Sequence, residues 1–303
     1  MALQSSGSIS LSQIASEFGD SQPHSLSEFY AGGSAGVTSG GAPNVPSSGQ
    51  ISFDDFYSAA NQITVTISSG ATNQSVSNLF GSNFTSSVPK ILVINSGVEL
   101  GATNTSNSAL LVPSGMSGTL NIQNAGTISG AGGDGGSQNG GNGSGGGTAL
   151  YIASSNVTVT NTGTIRGGGG GGGGGAVGVQ GGTINPVGSI YCFSGAPGTG
   201  GAGGDGQGYD QSQSNGAGGS GPTPGTNNAG GNSGFGAMFC QGYNGSTAGG
   251  SGGNGGTYGN SGGSGGSTGG GSVGSGGSAG KYIQLDGVSY TLSNSGTLQG
   301  NAP

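Results

Sequence analysis

The stretch "VTVTNTGTIRGGGGGGGGG" (157–175) joins an alternating run of Val and Thr to nine consecutive glycines. The alternating run predicts a β-strand with one buried face. Glycine has no side chain with which to build a hydrophobic core, and it loses more conformational freedom on folding than any other residue. If the glycine run is folded, its order must therefore come from backbone hydrogen bonds.

Glycine is distributed unevenly along the 303 residues. Only 15 of the 80 glycines lie in residues 1–128, which leaves 80 − 15 = 65 for the 175 positions of 129–303. This change of composition predicts a boundary near Ser129. We expect an N-terminal segment with short helices (1–60), a β-rich module (61–128) and a glycine-rich region (129–303).

The second glycine block has a register of three residues. From Gly250 to Gly280 every third residue is glycine, with Thr268 as the exception. Three residues per turn is the period of a polyproline-II helix, and three-chain collagen is disfavoured because 227–301 contains no proline. We predict a bundle of polyproline-II (polyglycine-II) helices that doubles back in several legs, with 167–175 as an interior leg. The alternative is a flexible Gly/Ser linker.

Three related units bracket the glycine blocks. Residues 108–130, 148–167 and 280–300 each read as strand, turn and strand, and each ends in Asn-x-Gly-Thr followed by Ile or Leu. We interpret them as β-hairpin repeats that stack on one another, because one such unit cannot bury its own apolar face. The expected fold is therefore mostly β and irregular, with short N-terminal helices, a β-hairpin module and a polyglycine-II bundle.

Residues 1–60 repeat one small device three times: "ISLSQIA" (9–15), "HSLSEFY" (24–30) and "ISFDDFY" (51–57). In each copy a serine is followed three residues later by Gln, Glu or Asp, which is the pattern of a helix capping box. Helices this short are unstable alone, so they must dock on each other or on a neighbouring subunit. A self-contained cap and an assembly adaptor are both open. The expected docking positions are Leu11, Ile14, Leu26, Phe29, Phe53 and Phe56.

Charge argues against several classes of partner. The net charge is −7 with only three basic residues, which disfavours nucleic acid and anionic membranes. The first residues lack the pattern of a signal peptide, and no window is apolar enough to span a membrane, so we expect no export by a signal peptide.

Catalytic and metal-binding patterns are also weak. His24 is the sole imidazole, so no Ser-His-Asp or Cys-His arrangement can be completed away from it. The motif "GGAGGD" (200–205) resembles one calcium-binding repeat, but such sites need tandem copies. We predict no enzyme, no cofactor and no metal site. Cys192 and Cys240 can pair or remain separate thiols.

Aromatic residues interrupt the glycine at a few places: 184–198, 208–215, 234–244 and Tyr258. Exposed aromatic and polar side chains on a rigid scaffold are typical of a recognition surface. The alternative is that the apolar residues only cap the end of the bundle. The candidate binding residues are Tyr191, Tyr209, Asp210, Tyr243 and Tyr258.

The N-terminal motifs "SGSISLSQIASEFG" (6–19) and "HSLSEFYAGG" (24–33) resemble the first segment of many bacteriophage virion proteins. The stretch from "ILVINSGVEL" to "TISGAGGDGG" (91–136) is similar to the glycine-rich fibre domains of phage tails. The long glycine blocks resemble the polyglycine-helix bundles of phage receptor-binding adhesins.

This resemblance implies a tail-fibre or tail-tip protein that is assembled in the host cytoplasm and becomes part of the virion. It would attach non-covalently to a host surface protein or polysaccharide, and residues 1–60 would contact other tail proteins. A homo-oligomer, with a trimer by analogy, is expected. The alternatives are a fibre or collar spacer that binds no receptor and a glycine-rich ice-binding protein.

Overall fold

The computed structural model describes residues 2–21, 24–178, 190–192, 198–220, 227–229, 248–267 and 271–303. Three parts follow one another: a small helical module, a stack of short parallel strands, and a set of glycine segments inserted into that stack. None of the helices in these ranges is long and apolar enough to cross a membrane.

The helical module begins with α1 (Leu11–Phe18), which is followed by two 3₁₀ helices, Leu26–Phe29 and Phe53–Phe56. All three have the predicted capping box. The backbone N–H of each capping serine donates to the side chain three residues later at 2.8 Å. α1 ends at Gly19, whose φ of 70° is the left-handed conformation that favours glycine.

The core of this module is a triangle of phenylalanines. The ring centroids of Phe18, Phe29 and Phe56 are 6.3 to 6.4 Å apart in tilted and edge-to-face pairs. Ile14, Phe29 and Phe56 are fully buried here, so the expectation that they form a docking face is corrected. Helices of one or two turns need their own apolar residues for their mutual packing. Phe53, 43% exposed, remains at the surface, and Leu11 and Leu26 are partly exposed.

Sixteen short strands follow in the described residues, and most of them coincide with the β-branched runs of the sequence. They are β1 (Ile63–Ile67), β2 (Ala71–Thr72), β3 (Gln74–Ser75), β4 (Lys90–Ile94), β5 (Glu99–Gly101), β6 (Leu110–Val112), β7 (Leu120–Asn124), β8 (Thr127–Ser129), β9 (Leu150–Ile152), β10 (Val157–Asn161), β11 (Thr164–Arg166), β12 (Ile190–Cys192), β13 (Asn227–Ala229), β14 (Ile283–Leu285), β15 (Tyr290–Asn294) and β16 (Thr297–Gln299).

All of these strands except β12 and β13 form three parallel sheets, which together make a three-sided stack that we call the β-solenoid. The first sheet has the order β1-β4-β7-β10-β15, the second β2-β5-β8-β11-β16, and the third β3-β6-β9-β14. Each turn of the chain thus adds one strand to every sheet. Strands from 148–167 and 280–300 belong to the same sheets as strands from 61–128.

The predicted hairpins are therefore wrong. β10 and β11 are consecutive, yet β10 pairs with β7 and β15, and β11 pairs with β8 and β16, all in parallel register. The turn between them redirects the chain to another face instead of reversing it. This topology buries Val157, Val159 and Ile165 in one shared core, which an isolated two-stranded hairpin cannot do.

The recurring Asn of the three units forms a ladder inside the solenoid. The Asn124 amide nitrogen donates to the Asn161 side-chain oxygen, and the Asn161 amide nitrogen donates to that of Asn294, both at 2.7 Å. Asn161 is fully buried. The amides can bond to one another because equivalent residues lie in register one strand apart, although the Asn124 side-chain oxygen at the end of the ladder is buried without a hydrogen-bond partner in the described residues. The repeated Asn therefore links successive turns of the solenoid, in addition to its place beside a turn.

The glycine segments are two insertions at one corner of the solenoid. The first lies between β8 and β9, and the second between β11 and β14. In the described residues they form eight extended segments joined by backbone hydrogen bonds: 130–137, 141–147, 167–178, 198–208, 211–220, 248–256, 260–267 and 271–280.

The segment 167–178, which carries the nine glycines, lies at the centre and is bonded to six others. Its N–H groups donate in rotation to 141–147, 198–208 and 260–267: Gly171 to Ser144, Gly172 to Gly204, and Gly173 to Gly263. Its carbonyls accept in rotation from 130–137, 248–256 and 271–280. The same neighbour returns every third residue. An interior position for 167–175 was predicted, and its hydrogen bonds place it there.

Side chains are excluded from these contacts. A Cβ on Gly171 would lie 1.9 Å from the Asp134 carbonyl oxygen, and one on Gly172 2.0 Å from that of Gly253. Both neighbours are backbone atoms held by hydrogen bonds of their own, so they cannot move aside. The interior glycines are required because the backbones approach one another this closely.

On the outer segments, Asp and Asn side chains satisfy N–H groups that have no backbone partner. Asp205 accepts from the Gly135 N–H at 2.9 Å, and Asn254 accepts from the Gly216 N–H at 3.0 Å. An unpaired amide at a packed interface is costly, so these side chains replace the missing neighbour.

Successive segments alternate in direction. Residues 167–178 lead away from the solenoid, 198–208 return along them, 211–220 lead away again, and 248–256 return. We call the end beside the solenoid the near end and the opposite end the far end.

A pair of glycine substitutions tests the packing. We predict that Gly171→Ala lowers the free energy of unfolding by about 3 kcal/mol or more, because its Cβ would clash with backbone. Gly218→Ala is the matched control, since a Cβ added at Gly218 would have no other atom within 4 Å. It should change stability by less than about 0.5 kcal/mol. Denaturant unfolding measures both, and equal losses in the two variants would contradict this account of the packing.

Candidate functional site

The far end is where the long intervals between segments begin and end. Gly178 donates to the Gly198 carbonyl at 2.8 Å, and Gly249 donates to the Ser220 carbonyl at 3.0 Å. The described residues that flank the intervals 179–197 and 221–247 therefore lie together at this end. The two intervals are also joined to each other, because β12 from one pairs antiparallel with β13 from the other.

Two of the predicted binding residues belong to these intervals. Tyr191 lies in β12, in register with Asn228 of β13. Tyr243 lies outside the described residues, as do Cys240 and most of the predicted regions 184–198 and 234–244. The pairing of Cys192 with Cys240 is therefore not addressed by the described residues.

The other three predicted residues lie at the near end, against the β-solenoid. The Tyr209 ring lies on Gly101 of β5, where a Cβ would come within 1.9 Å of the ring. The Asp210 carboxylate accepts a hydrogen bond from the Gly132 N–H at 2.9 Å. In the turn between segments 198–208 and 211–220, Tyr209 thus contacts the second sheet and Asp210 binds segment 130–137. Tyr209 is still 39% exposed.

Tyr258 occupies the equivalent turn between 248–256 and 260–267. The Arg166 guanidinium lies over its ring, 3.7 Å from the centroid. Arg166 also donates to a Glu99 carboxylate oxygen and to the Ser129 hydroxyl, both at 2.9 Å. Burial raises the pKa of Tyr258, and the nearby Arg166 charge only partly opposes this, so the phenol stays neutral at ordinary pH.

Comparison with known proteins identifies the group to which this arrangement belongs. Residues 62–303 match the family described as phage tail fibre adhesin Gp38. The chain belongs to this family. The match includes the whole β-solenoid and the glycine region, and it begins just after the helical module.

A search of solved structures finds the crystal structure of the gp37–gp38 adhesin tip complex of the bacteriophage S16 long tail fibre. The sequence identity is 18%, the TM-score is 0.47, and the match covers 99% of this chain and 100% of that chain. Curated proteins gave no match.

Membership of the Gp38 family makes this chain a structural adhesin of the virion tail and not an enzyme. The titratable groups of the helical module have local structural partners. His24 Nδ1 lies 3.0 Å from an Asp20 carboxylate oxygen. A hydrogen bond from Ser52 is the main cause that lowers the pKa of Asp54. In the described part of the adhesin, no group of three or more His, Cys, Asp or Glu is placed to hold a metal ion.

The sequence did not point to Gly101 or Glu99, the residues on which the near-end turns rest. A usable signal was Arg166, one of only three basic residues, at the junction of β11 and the nine glycines. A lone cation at such a junction indicates a fastening contact. Tyr209, Asp210 and Tyr258 were predicted as binding residues. In the structure they make packing, hydrogen-bond and cation–π contacts at the near end, whereas the residues that flank the long intervals lie at the far end.

A double-mutant cycle tests the seat of Tyr209 in this adhesin. We predict that Gly101→Ala alone costs about 2 kcal/mol, because the new methyl group would overlap the ring. In a Tyr209→Ala background the same change should cost almost nothing, which gives a coupling free energy of about 2 kcal/mol. Denaturant unfolding of the four proteins measures it. An undiminished cost of Gly101→Ala without the ring would refute the contact.

Proposed function

We propose that this Gp38-family adhesin attaches the virion to its bacterial host through the far end of the glycine region. One observation carries the proposal: both long intervals, 179–197 and 221–247, start and finish at the end opposite the solenoid. The family match supports a tail adhesin, and this geometry supports the proposal that the far end is the surface that contacts the host cell.

We further propose that the glycine segments have polyglycine-II geometry. The three-residue interval of their hydrogen bonds and the loss of space for any Cβ support this. Such a scaffold is stiff, because each interior segment is bonded on every side. A binding surface on a stiff support loses less conformational entropy when it binds, which improves affinity.

Binding would be non-covalent and made of many weak contacts. Tyr191 and Tyr243 are the predicted binding residues that belong to the intervals 179–197 and 221–247, and tyrosine gives a large contact area with one polar tip. The receptor would be a host surface protein or polysaccharide. Several copies of an adhesin on one virion convert weak single contacts into firm attachment.

The far-end proposal predicts that substitution of Tyr191 and Tyr243 reduces binding to host cells, whereas substitution of Tyr209 does not. Changing Tyr191 and Tyr243 to Ala should reduce binding of the purified chain to intact host cells by roughly tenfold or more, and leave its melting temperature unchanged. Tyr209→Ala is the control: it should lower the melting temperature and leave cell binding intact at a temperature where the variant is folded. Flow cytometry with labelled chain measures binding.

Unchanged binding by the double variant, with loss of binding in folded Tyr209→Ala, would place the contact at the near end. Unchanged binding by both would exclude these tyrosines. An unaltered chain that binds no susceptible host would favour the spacer function instead.

We propose that the helical module contacts other tail proteins. It has its own core, separate from that of the solenoid, and the family match begins after it at residue 62. Leu11, Leu26 and Phe53 each directly follow a capping serine, and all three are at least partly exposed. Three equivalent apolar positions suit a partner that presents one surface three times, as a trimeric fibre would. The S16 structure is of a complex between two tail-fibre proteins.

The docking proposal is tested with one exposed residue and a matched control. Phe53→Ser should reduce incorporation of the adhesin into virions several-fold without loss of stability, because the side chain is 43% exposed in the free chain. Val273→Ser, at a residue 39% exposed on the glycine region, should leave incorporation unchanged. Immunoblots of purified particles measure the content of adhesin. Equal incorporation of both variants would argue against this face.

A further inference from the structure

A groove on the third sheet of the β-solenoid lies apart from both surfaces discussed so far. Its floor is a row of outward side chains in register, Leu111 of β6, Tyr151 of β9 and Gln284 of β14. The loop 105–108 forms one wall and Thr148 contributes to another. The cavity has a volume of about 390 Å³, which is within the usual range for small-molecule sites.

The lining of this groove is uncharged and rich in hydrogen-bonding groups. It consists of hydroxyl and amide side chains, one tyrosine and one leucine, with no carboxylate or cation among the described lining residues. The Thr148 hydroxyl donates to the Gln284 side-chain oxygen at 2.9 Å, which fixes the amide. Among the described residues, the Gln284 amide nitrogen, the Tyr151 hydroxyl and the Ser108 hydroxyl have no hydrogen-bond partner. They can therefore donate to and accept from a ligand.

We propose that this groove binds a neutral saccharide. Sugar hydroxyls both donate and accept, which matches a lining of hydroxyls and amides. A sugar ring also has an apolar C–H face that packs on an aromatic ring, and half-buried Tyr151 provides one in the floor. Three neighbouring strands span roughly 10 Å, which leaves room for more than one sugar ring along the floor.

Other classes of ligand fit less well. An extended peptide commonly binds by adding a strand to the free edge of a sheet. This floor is the face of a sheet whose backbone groups are already paired on both sides at β9. An anion needs basic groups or free N–H groups, and the lining has no cation.

The wall of the groove is preformed. The Asn104 side-chain oxygen accepts from the N–H groups of Ser106 and Asn107 at 3.0 and 3.1 Å. Asn73 donates to the Thr103 hydroxyl at 2.7 Å. The loop also packs on the glycine region, since a Cβ on Gly147 would lie 3.1 Å from the Thr105 Cα. A wall held in this way loses little entropy when a ligand binds.

This site would act beside the far end and not in place of it. A sugar bound on the side of the adhesin would hold the virion weakly at a polysaccharide-covered surface, and the far-end contact would then be favoured by proximity. The two sites share no residue, so each can be tested with the other altered.

The test is ligand-observed NMR on the full chain with defined probes: glucose, galactose, N-acetylglucosamine, maltose and lactose, and N-acetylneuraminic acid as a charged probe. We expect at least one neutral sugar to receive saturation from the protein. Tyr151→Ala should weaken its binding by roughly tenfold, which corresponds to about 1.4 kcal/mol. Gln284→Leu provides a second variant with an unchanged aromatic ring, and it should also weaken binding.

Tyr290→Ala is the matched control. Tyr290 is a half-buried tyrosine that lines a separate, smaller cavity of about 250 Å³ on the solenoid, between Thr119 and Thr291. The Tyr290→Ala variant should bind the sugar as the unaltered chain does. Ala at Tyr191 and Tyr243 should also leave sugar binding unchanged, so this test does not depend on whether the far-end proposal is correct. No neutral probe bound by the unaltered chain, binding of the charged probe alone, or binding that depends on Tyr290 and not on Tyr151 would each overturn the proposal.

Discussion

The hydrogen bond between neighbouring glycine backbones is the constraint on which this structure depends. Each N–H···O=C bond contributes little by itself, on the order of 1 kcal/mol, and ordering each glycine costs more than ordering any other residue. The balance becomes favourable only when every residue of the central segment donates to one neighbour and accepts from another. The requirement for six neighbours explains why the insertions turn back repeatedly.

The β-solenoid provides the fixed ends that this arrangement needs. Gly167 donates to the Gln299 carbonyl of β16, so the hydrogen-bond ladder of the second sheet continues directly into the first glycine. The near-end turns are fastened by a ring on Gly101 and by a cation over Tyr258. These near-end contacts fix the position of each segment along its axis. Without them, the carbonyl and N–H groups of neighbouring segments would not align.

Much of this architecture could be predicted from the sequence, and the errors have physical causes. The capping boxes and the glycine period are local, so counting residues found them. The hairpins were wrong because a strand–turn–strand pattern has the same sequence signature whether the turn reverses the chain or directs it to another face of the solenoid.

Lys90 illustrates a further limit of prediction from sequence. It begins a predicted strand, yet its ammonium is buried on three carbonyls, Ser86, Val88 and Ser117, and burial lowers its pKa. Partners brought together by the fold leave no local signal.

The candidate site was also predicted only in part from the sequence. Tyr209 and Tyr258, which were predicted as binding residues, lie in turns between glycine segments, and sequence spacing does not say at which end of the segments such a turn lies. Tyr209 and Tyr258 follow returning segments, whereas 179–197 and 221–247 follow outgoing ones. Only the hydrogen-bond register between segments distinguishes the two cases.

The rotation of hydrogen bonds among neighbours gives the glycine region a reading frame. If one residue is inserted in a segment, every later residue of that segment faces a different neighbouring segment. Ser or Asn side chains would then lie at contacts where only the hydrogen atom of a glycine fits. Insertions of three residues keep the frame and lengthen the segment. This frame applies to the hydrogen-bonded segments, so it sets no rule for the lengths of the intervals 179–197 and 221–247. Variation in this part of the chain should therefore follow two rules, triplets within segments and unrestricted lengths at their tips.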